Sequence, residues 1–115
     1  MHRIGDLPVH QIPIGTLQIL SGEQSMVFWA RLKAGTHTPA HQHPGEQMTW
    51  LVSGRLKYRV GTADVREVAP GEVVLIRGGT EHEAWYVDDC EIVEFHAPPR
   101  FDLYPAARHH PYAIE

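Results

Sequence analysis

Short runs of roughly four to eight strand-like residues, each closed by a turn signal, constrain this chain more than any other feature. Arg55-Leu56-Lys57-Tyr58-Arg59-Val60 sets three cations against three apolar groups, the pattern of a strand with one buried face. Met26 to Lys33, Gln47 to Ser53, Val73 to Ile76, Ala84 to Val87 and Cys90 to His96 are further apolar-rich runs. Ser53-Gly54, Gly61-Thr62 and Pro70-Gly71 are turn signals between them. Pro98-Pro99 stops the last run, because proline cannot donate to a strand ladder. No segment holds a helical period with caps, so the pattern predicts an all-β sandwich or barrel.

A chain of 115 residues with 43% hydrophobic content is enough for one domain with one core. We expect a single domain over 1–115, with a barrel core over about 16–97 and N- and C-terminal arms rich in Pro and His. The formal charge of -4 supplies no general attraction to nucleic acid or anionic membranes. No apolar run reaches the ~20 residues that span a bilayer. The start Met1-His2-Arg3-Ile4-Gly5-Asp6 has no apolar signal core, so the expectation is a cytoplasmic protein. Cys90 is the single cysteine, which excludes an intrachain disulfide; it reads as a buried, inert thiol on a strand.

Nine histidines are an excess for this length. His2, His10, His109 and His110 fall in the two arms and read as surface residues. His41 and His43 differ. In an H-x-H step on an extended strand both side chains point to one face. Further donors from other strands would close a cage around one metal ion, and imidazole suits zinc, iron, nickel and copper alike. Two plainer readings compete: histidines filling a barrel without metal, and a metal that serves stability alone. The first would leave several buried polar groups in need of partners.

The spacing carries more. Gly35, five residues, His41, one residue, His43, three residues, Gln47, six residues and Gly54 form one block. Gly71, five residues, Arg77, one residue, Gly79, two residues and His82 form a second. These resemble the two motifs of the cupin superfamily, in which the first block carries a Glu where Gln47 stands. Arg77 and Tyr86 stand where those motifs have Pro and Asn. The resemblance implies a double-stranded β-helix (jelly-roll) barrel with one divalent metal ion, zinc, nickel, manganese or iron, held by His41, His43, Gln47 and His82. Glu46 is the competing ligand for Gln47; period 2 turns it outward unless a bulge intervenes. His37 shares parity with His41 and His43, and is either a donor that orients the site or a loop residue. Three imidazoles and an amide add no charge, so a bound dication keeps its full charge. That favours Lewis-acid chemistry over the oxygen chemistry commonly run on two His and a carboxylate.

The segment Glu94-Phe95-His96-Ala97-Pro98-Pro99-Arg100-Phe101-Asp102 is similar to the last strand of small cupins that linearise unsaturated uronates. On that resemblance Glu94 stands for a catalytic Asp, Arg100 for an arginine that binds the substrate carboxylate, and His96 for an aromatic residue. Periodicity alone leaves open whether Glu94 and His96 face the interior or the solvent. Trp50, Tyr58 and Trp85 read as core or as the rim of a pocket. The expected activity is a metal-dependent isomerase or lyase acting on a keto or unsaturated sugar acid or a similar small metabolite. Its rivals are an iron-dependent dioxygenase and a metal-dependent binding or sensing module without turnover. The resemblance also implies a homodimer, whose pairing would protect an exposed sheet edge.

Overall fold

The computed structural model describes residues 1–102; His109, His110 and the rest of the expected C-terminal arm from 103 on lie outside the described residues. After a 3₁₀ turn at Ile4–Asp6 come ten strands. They are β1 (His10–Ile12), β2 (Gly15–Ser21), β3 (Met26–Leu32), β4 (Thr36–His41) and β5 (Glu46–Ser53), then β6 (Leu56–Val60), β7 (Arg66–Val68), β8 (Val73–Ile76), β9 (His82–Tyr86) and β10 (Cys90–Ala97). They form a six-stranded sheet in the order β1-β2-β3-β10-β5-β8 and a four-stranded sheet in the order β4-β9-β6-β7, with antiparallel pairing throughout. This is the expected all-β jelly-roll barrel. Among the described residues no helix is long and apolar enough to cross a membrane.

The inner faces explain where chemistry can sit. On β5, Gln47, Thr49 and Leu51 point inward and Met48, Trp50 and Val52 outward. On β10, Cys90, Ile92 and His96 are buried on the same parity as Glu94. The register pairs Ile92 with Leu51, Glu94 with Thr49 and His96 with Gln47. Cross-strand neighbours of this kind lie within side-chain contact. The barrel lining therefore changes along these two strands from apolar to polar. The apolar half is a core of Leu17, Phe28, Leu51, Leu56, Ile76 and Ile92. Leu51 is fully buried, so Leu51→Ala is expected to cost about 2–5 kcal/mol in denaturant unfolding.

The strand Leu56–Val60 alternates as the sequence predicts, with Leu56 and Tyr58 buried. Two of the three cations of this stretch are paired with acids, Arg55 with Glu67 and Arg59 with Glu81 and Glu83, which neutralises much of the basic stripe on the surface. The N-terminal arm packs on the barrel, where buried Gln18 donates to the Gly5 and Leu7 carbonyls. Gly54 has φ +102, and a Cβ there would stand 2.3 Å from the Asp89 carbonyl oxygen. Only glycine meets both demands of that turn.

Strands β1, β2, β4 and β7 go beyond the runs read from the sequence. β4 contains Thr, His and Pro, and pairs with β9 through a register shift between Thr38 and His41. One extra residue on β4 reverses the parity, so His37 and His41 do not share a face, contrary to the simple period-2 reading.

Candidate metal centre

Three elements deliver the histidines. His41 ends β4, His43 lies in the loop just beyond it, and His82 opens β9. The H-x-H step is thus half strand and half loop. Each ring offers a nitrogen such that the three lie within 4.8 Å of one another. His43 and His82 are buried, and His41 is half-buried. The loop is pinned from the second motif: Gly79 N–H donates to the His43 carbonyl at 2.8 Å. A Cβ at Gly78 would stand 2.1 Å from the Pro44 carbonyl oxygen. Gly78→Ala must therefore move the His43 loop; metal affinity measured by competition titration is expected to fall about tenfold, with a lower Tm.

The backbone fixes the tautomers. His41 Nδ1 lies 2.9 Å from the Pro39 carbonyl, His43 Nδ1 3.0 Å from the Gly45 carbonyl and His82 Nδ1 2.8 Å from the Thr80 carbonyl. A carbonyl only accepts, so each Nδ1 carries the hydrogen and each neutral ring presents its Nε2 lone pair. His82 Nε2 is buried with no hydrogen-bond partner among the described residues. Burial holds both His43 and His82 below the ordinary histidine pKa of 6.5. Neutral imidazole is the form that binds metal. The sign for the metal-free protein follows: the unfolded chain takes up protons near pH 6.5 and the folded chain only lower. Stability is expected to fall as pH drops below about 6.5, checked by urea midpoints at pH 7.5 and 5.5.

Gln47 lies beside the three histidines. Its Oε1 lies 2.9 Å from His43 Nε2, and its amide nitrogen donates to Thr49 Oγ1 at 3.0 Å and Tyr58 OH at 3.3 Å. Thr49 Oγ1 in turn donates to Glu94 Oε2 at 3.2 Å. A carboxylate accepts only, so the Thr49 proton points to Glu94 and its lone pair receives the Gln47 amide. The chain of bonds leaves Oε1 as the atom turned toward the histidines. A neutral His43 with Nδ1–H then faces Oε1 with a lone pair, acceptor against acceptor. A cation beside both atoms resolves the clash. Two donors side by side on one ion with bonds of ~2.1 Å stand about 3 Å apart, which matches the contact. The residues fit a divalent metal.

Beside this group lies a cavity of about 110 Å³, lined in part by His41, Gln47, Tyr58, Glu94, His96 and Arg100. Glu94 and His96 thus face inward, which periodicity alone left open. Glu94 Oε1 accepts from His96 Nε2 at 2.8 Å. Arg100 is 8% exposed and binds Asp102 through Nε and Nη2, with bonds of 2.9 and 3.0 Å. That edge of the guanidinium is already engaged.

The cupin domain model of the Cupin_2 type matches residues 28–96. The chain belongs to the cupin family.

Among solved structures this cupin is similar to KdgF from Halomonas sp., with 19% identity and a TM-score of 0.78 over 86% of this chain and 93% of that one. It is also similar to an RmlC-like cupin from Shewanella frigidimarina, with 18% identity and a TM-score of 0.80 over 86% and 90%. A Bacillus subtilis oxalate decarboxylase, studied for its Mn(II) centres, aligns at 15% identity and a TM-score of 0.74 over 85% of this chain and 29% of that one. At these identities the likeness establishes the fold. No match was found among curated proteins.

The remaining candidates fall into place around the cupin site. Glu46 is exposed, as the alternation from Gln47 requires. His37 lies on the outer face, bonded to Glu83 at 2.7 Å and stacked on Trp85, and touches none of the three histidines. Its bond holds the Glu83 carboxyl below the usual range. Trp50 is 42% exposed and Trp85 half-buried, so neither is core, whereas Tyr58 is buried and reaches Gln47. Tyr86, at the Asn position of the second motif, bonds Thr38 at 2.9 Å. Cys90 is buried, its thiol donates to the Arg55 and Asp88 carbonyls, and burial raises its pKa, so it is inert. Thr49 was not found from the sequence. Its signal was its place two residues after Gln47 on the inward parity of β5, where an apolar residue would be the default.

Proposed function

We propose that this cupin is a metal-dependent enzyme of the isomerase or lyase type, acting on a keto or unsaturated sugar acid or a similar oxygenated metabolite in the cytoplasm. The observation that carries the reading is the meeting of a wholly neutral donor set with an inward carboxylate. His41, His43, His82 and Gln47 bring no charge, and Glu94 stands one hydrogen-bonded residue, Thr49, away from Gln47. A divalent ion held by the four supplies Lewis acidity toward a substrate oxygen. Glu94 would take or give the proton at the neighbouring carbon, and its bonds from Thr49 and His96 hold it in place. Arg100, buried at the same cavity, would hold the substrate carboxylate with Nη1 and the Nη2 hydrogen that Asp102 leaves over. The likeness to KdgF, together with the Pro98-Pro99-Arg100 segment, supports an unsaturated uronate as the first substrate to try.

The test is turnover of 4,5-unsaturated uronates by metal-loaded protein, followed by loss of their ultraviolet absorbance. Wild type is expected to turn over, and Glu94→Gln to lose about 10²–10⁴ in kcat while retaining its metal. Bound iron with oxygen consumption would instead establish a dioxygenase. Saturable binding without turnover would establish a binding module.

The outer face of the six-stranded sheet supports pairing with a second copy. Phe95, Met48 and Leu75 are cross-strand neighbours, as are Trp50 and Val73, and all five are 39–54% exposed. A contiguous apolar surface of this kind is unusual on a monomer. Light scattering is expected to give a dimer, and Trp50→Glu a monomer.

A further inference from the structure

His96 has a role that the metal reading does not use. It is 3% exposed, lines the cavity, and is held on three sides. Its ring stacks on Phe28 with centroids 5.5 Å apart, and lies edge-to-face with His43 at 5.7 Å. Its Nε2 bonds Glu94 Oε1 at 2.8 Å, and the other Glu94 oxygen is fixed by Thr49. Because a carboxylate accepts only, Nε2 carries the hydrogen, and the neutral ring has its lone pair on Nδ1. That Nδ1 is buried and has no hydrogen-bond partner among the described residues. It is not one of the three nitrogens grouped for the metal. A buried acceptor left unmatched is costly, and such orphans point to a bound water or to a ligand group.

We propose that His96 Nδ1 is the acceptor for a substrate hydroxyl, which makes the site selective for hydroxylated acids over their deoxy counterparts. Glu94 fixes the tautomer that exposes this lone pair, as carboxylates do for ligating histidines. A site built to bond a hydroxyl discriminates against the analogue that lacks it, because the acceptor is then left unpaired. The inference rests on the proposed function and narrows its substrate class.

The test uses lactate and propanoate as probes on zinc-loaded protein, with dissociation constants from calorimetry. Lactate gains over propanoate on the metal alone, so the decisive quantity is how that preference changes on substitution. His96→Phe keeps a ring against Phe28 and is expected to lower the lactate preference about tenfold at unchanged zinc content. His96→Asn, which sets an amide oxygen near the Nδ1 position, is expected to restore part of it. An unchanged preference in His96→Phe, or a zinc-loaded wild type that binds neither probe, would overturn the proposal. Failure of the underlying reading would show separately, as wild-type protein that takes up no zinc. In that event ¹⁵N NMR of the metal-free protein decides: an unprotonated Nδ1 at His96 whose resonance moves on adding lactate supports the proposal, and an Nδ1–H tautomer or a resonance indifferent to lactate overturns it.

Discussion

Replacing His82 by Ala is expected to weaken metal binding by ~100-fold or more. His82 is fully buried, its Nδ1–H is spent on the Thr80 carbonyl, and its Nε2 has no partner among the described residues. Metal sites closed by four side chains bind with on the order of 10–16 kcal/mol, so one donor in four carries several kcal/mol. Truncation also opens space in a packed interior, at a cost of about 2–5 kcal/mol. The loss of metal must therefore be separated from loss of fold. His82→Gln fills most of that space, and competition titration on both variants, with circular dichroism as the control, makes the separation. A folded His82→Gln protein with wild-type affinity would remove His82 from the ligand set.

The second large effect is expected at a residue that touches no metal. Thr49→Val keeps the volume of a side chain that is 1% exposed but breaks the bonds from Gln47 and to Glu94. Nothing but the weaker contact to Tyr58 then favours the amide orientation that presents Oε1. Loss of an outer partner of a ligand typically costs 10–100-fold in metal affinity, and we expect a value in that range for zinc by competition titration. Glu94 Oε2 also loses its donor, at about 1–3 kcal/mol of stability. Thr49→Ser retains the hydroxyl and is expected to recover the affinity. If Thr49→Val bound zinc as wild type does, Gln47 would be oriented by something else, or would not ligate.

These two residues also mark what was legible in the sequence. His41 and His43 could be read from the H-x-H step, and His82 from the resemblance of the two glycine-spaced blocks to the cupin motifs. The inward position of Gln47 over Glu46 followed from period 2, and the exposure of Glu46 agrees. Period 2 failed where the ladder is irregular. The shift between Thr38 and His41 separated His37 from the site, and only pairing with β9 reveals it. Thr49 was silent because a threonine on a strand is ordinary. Its importance comes from standing opposite Glu94 on β10, a register that no local pattern encodes. Trp50, read as core or pocket rim, lies on the outer face, since β5 turns Met48, Trp50 and Val52 outward and the polar Gln47 and Thr49 inward. Glu94 and His96 were undecided because the flanking Val93 and Phe95 would have made an equally good inner face.

The central claim is that four neutral side chains of this cupin hold one divalent ion. Elemental mass spectrometry of untagged protein, purified without added metal or chelator, tests it most directly. The account predicts about one equivalent of zinc, nickel, manganese or iron per chain, and a lower content in His82→Ala. Protein that carries no metal and takes up none on reconstitution would contradict it.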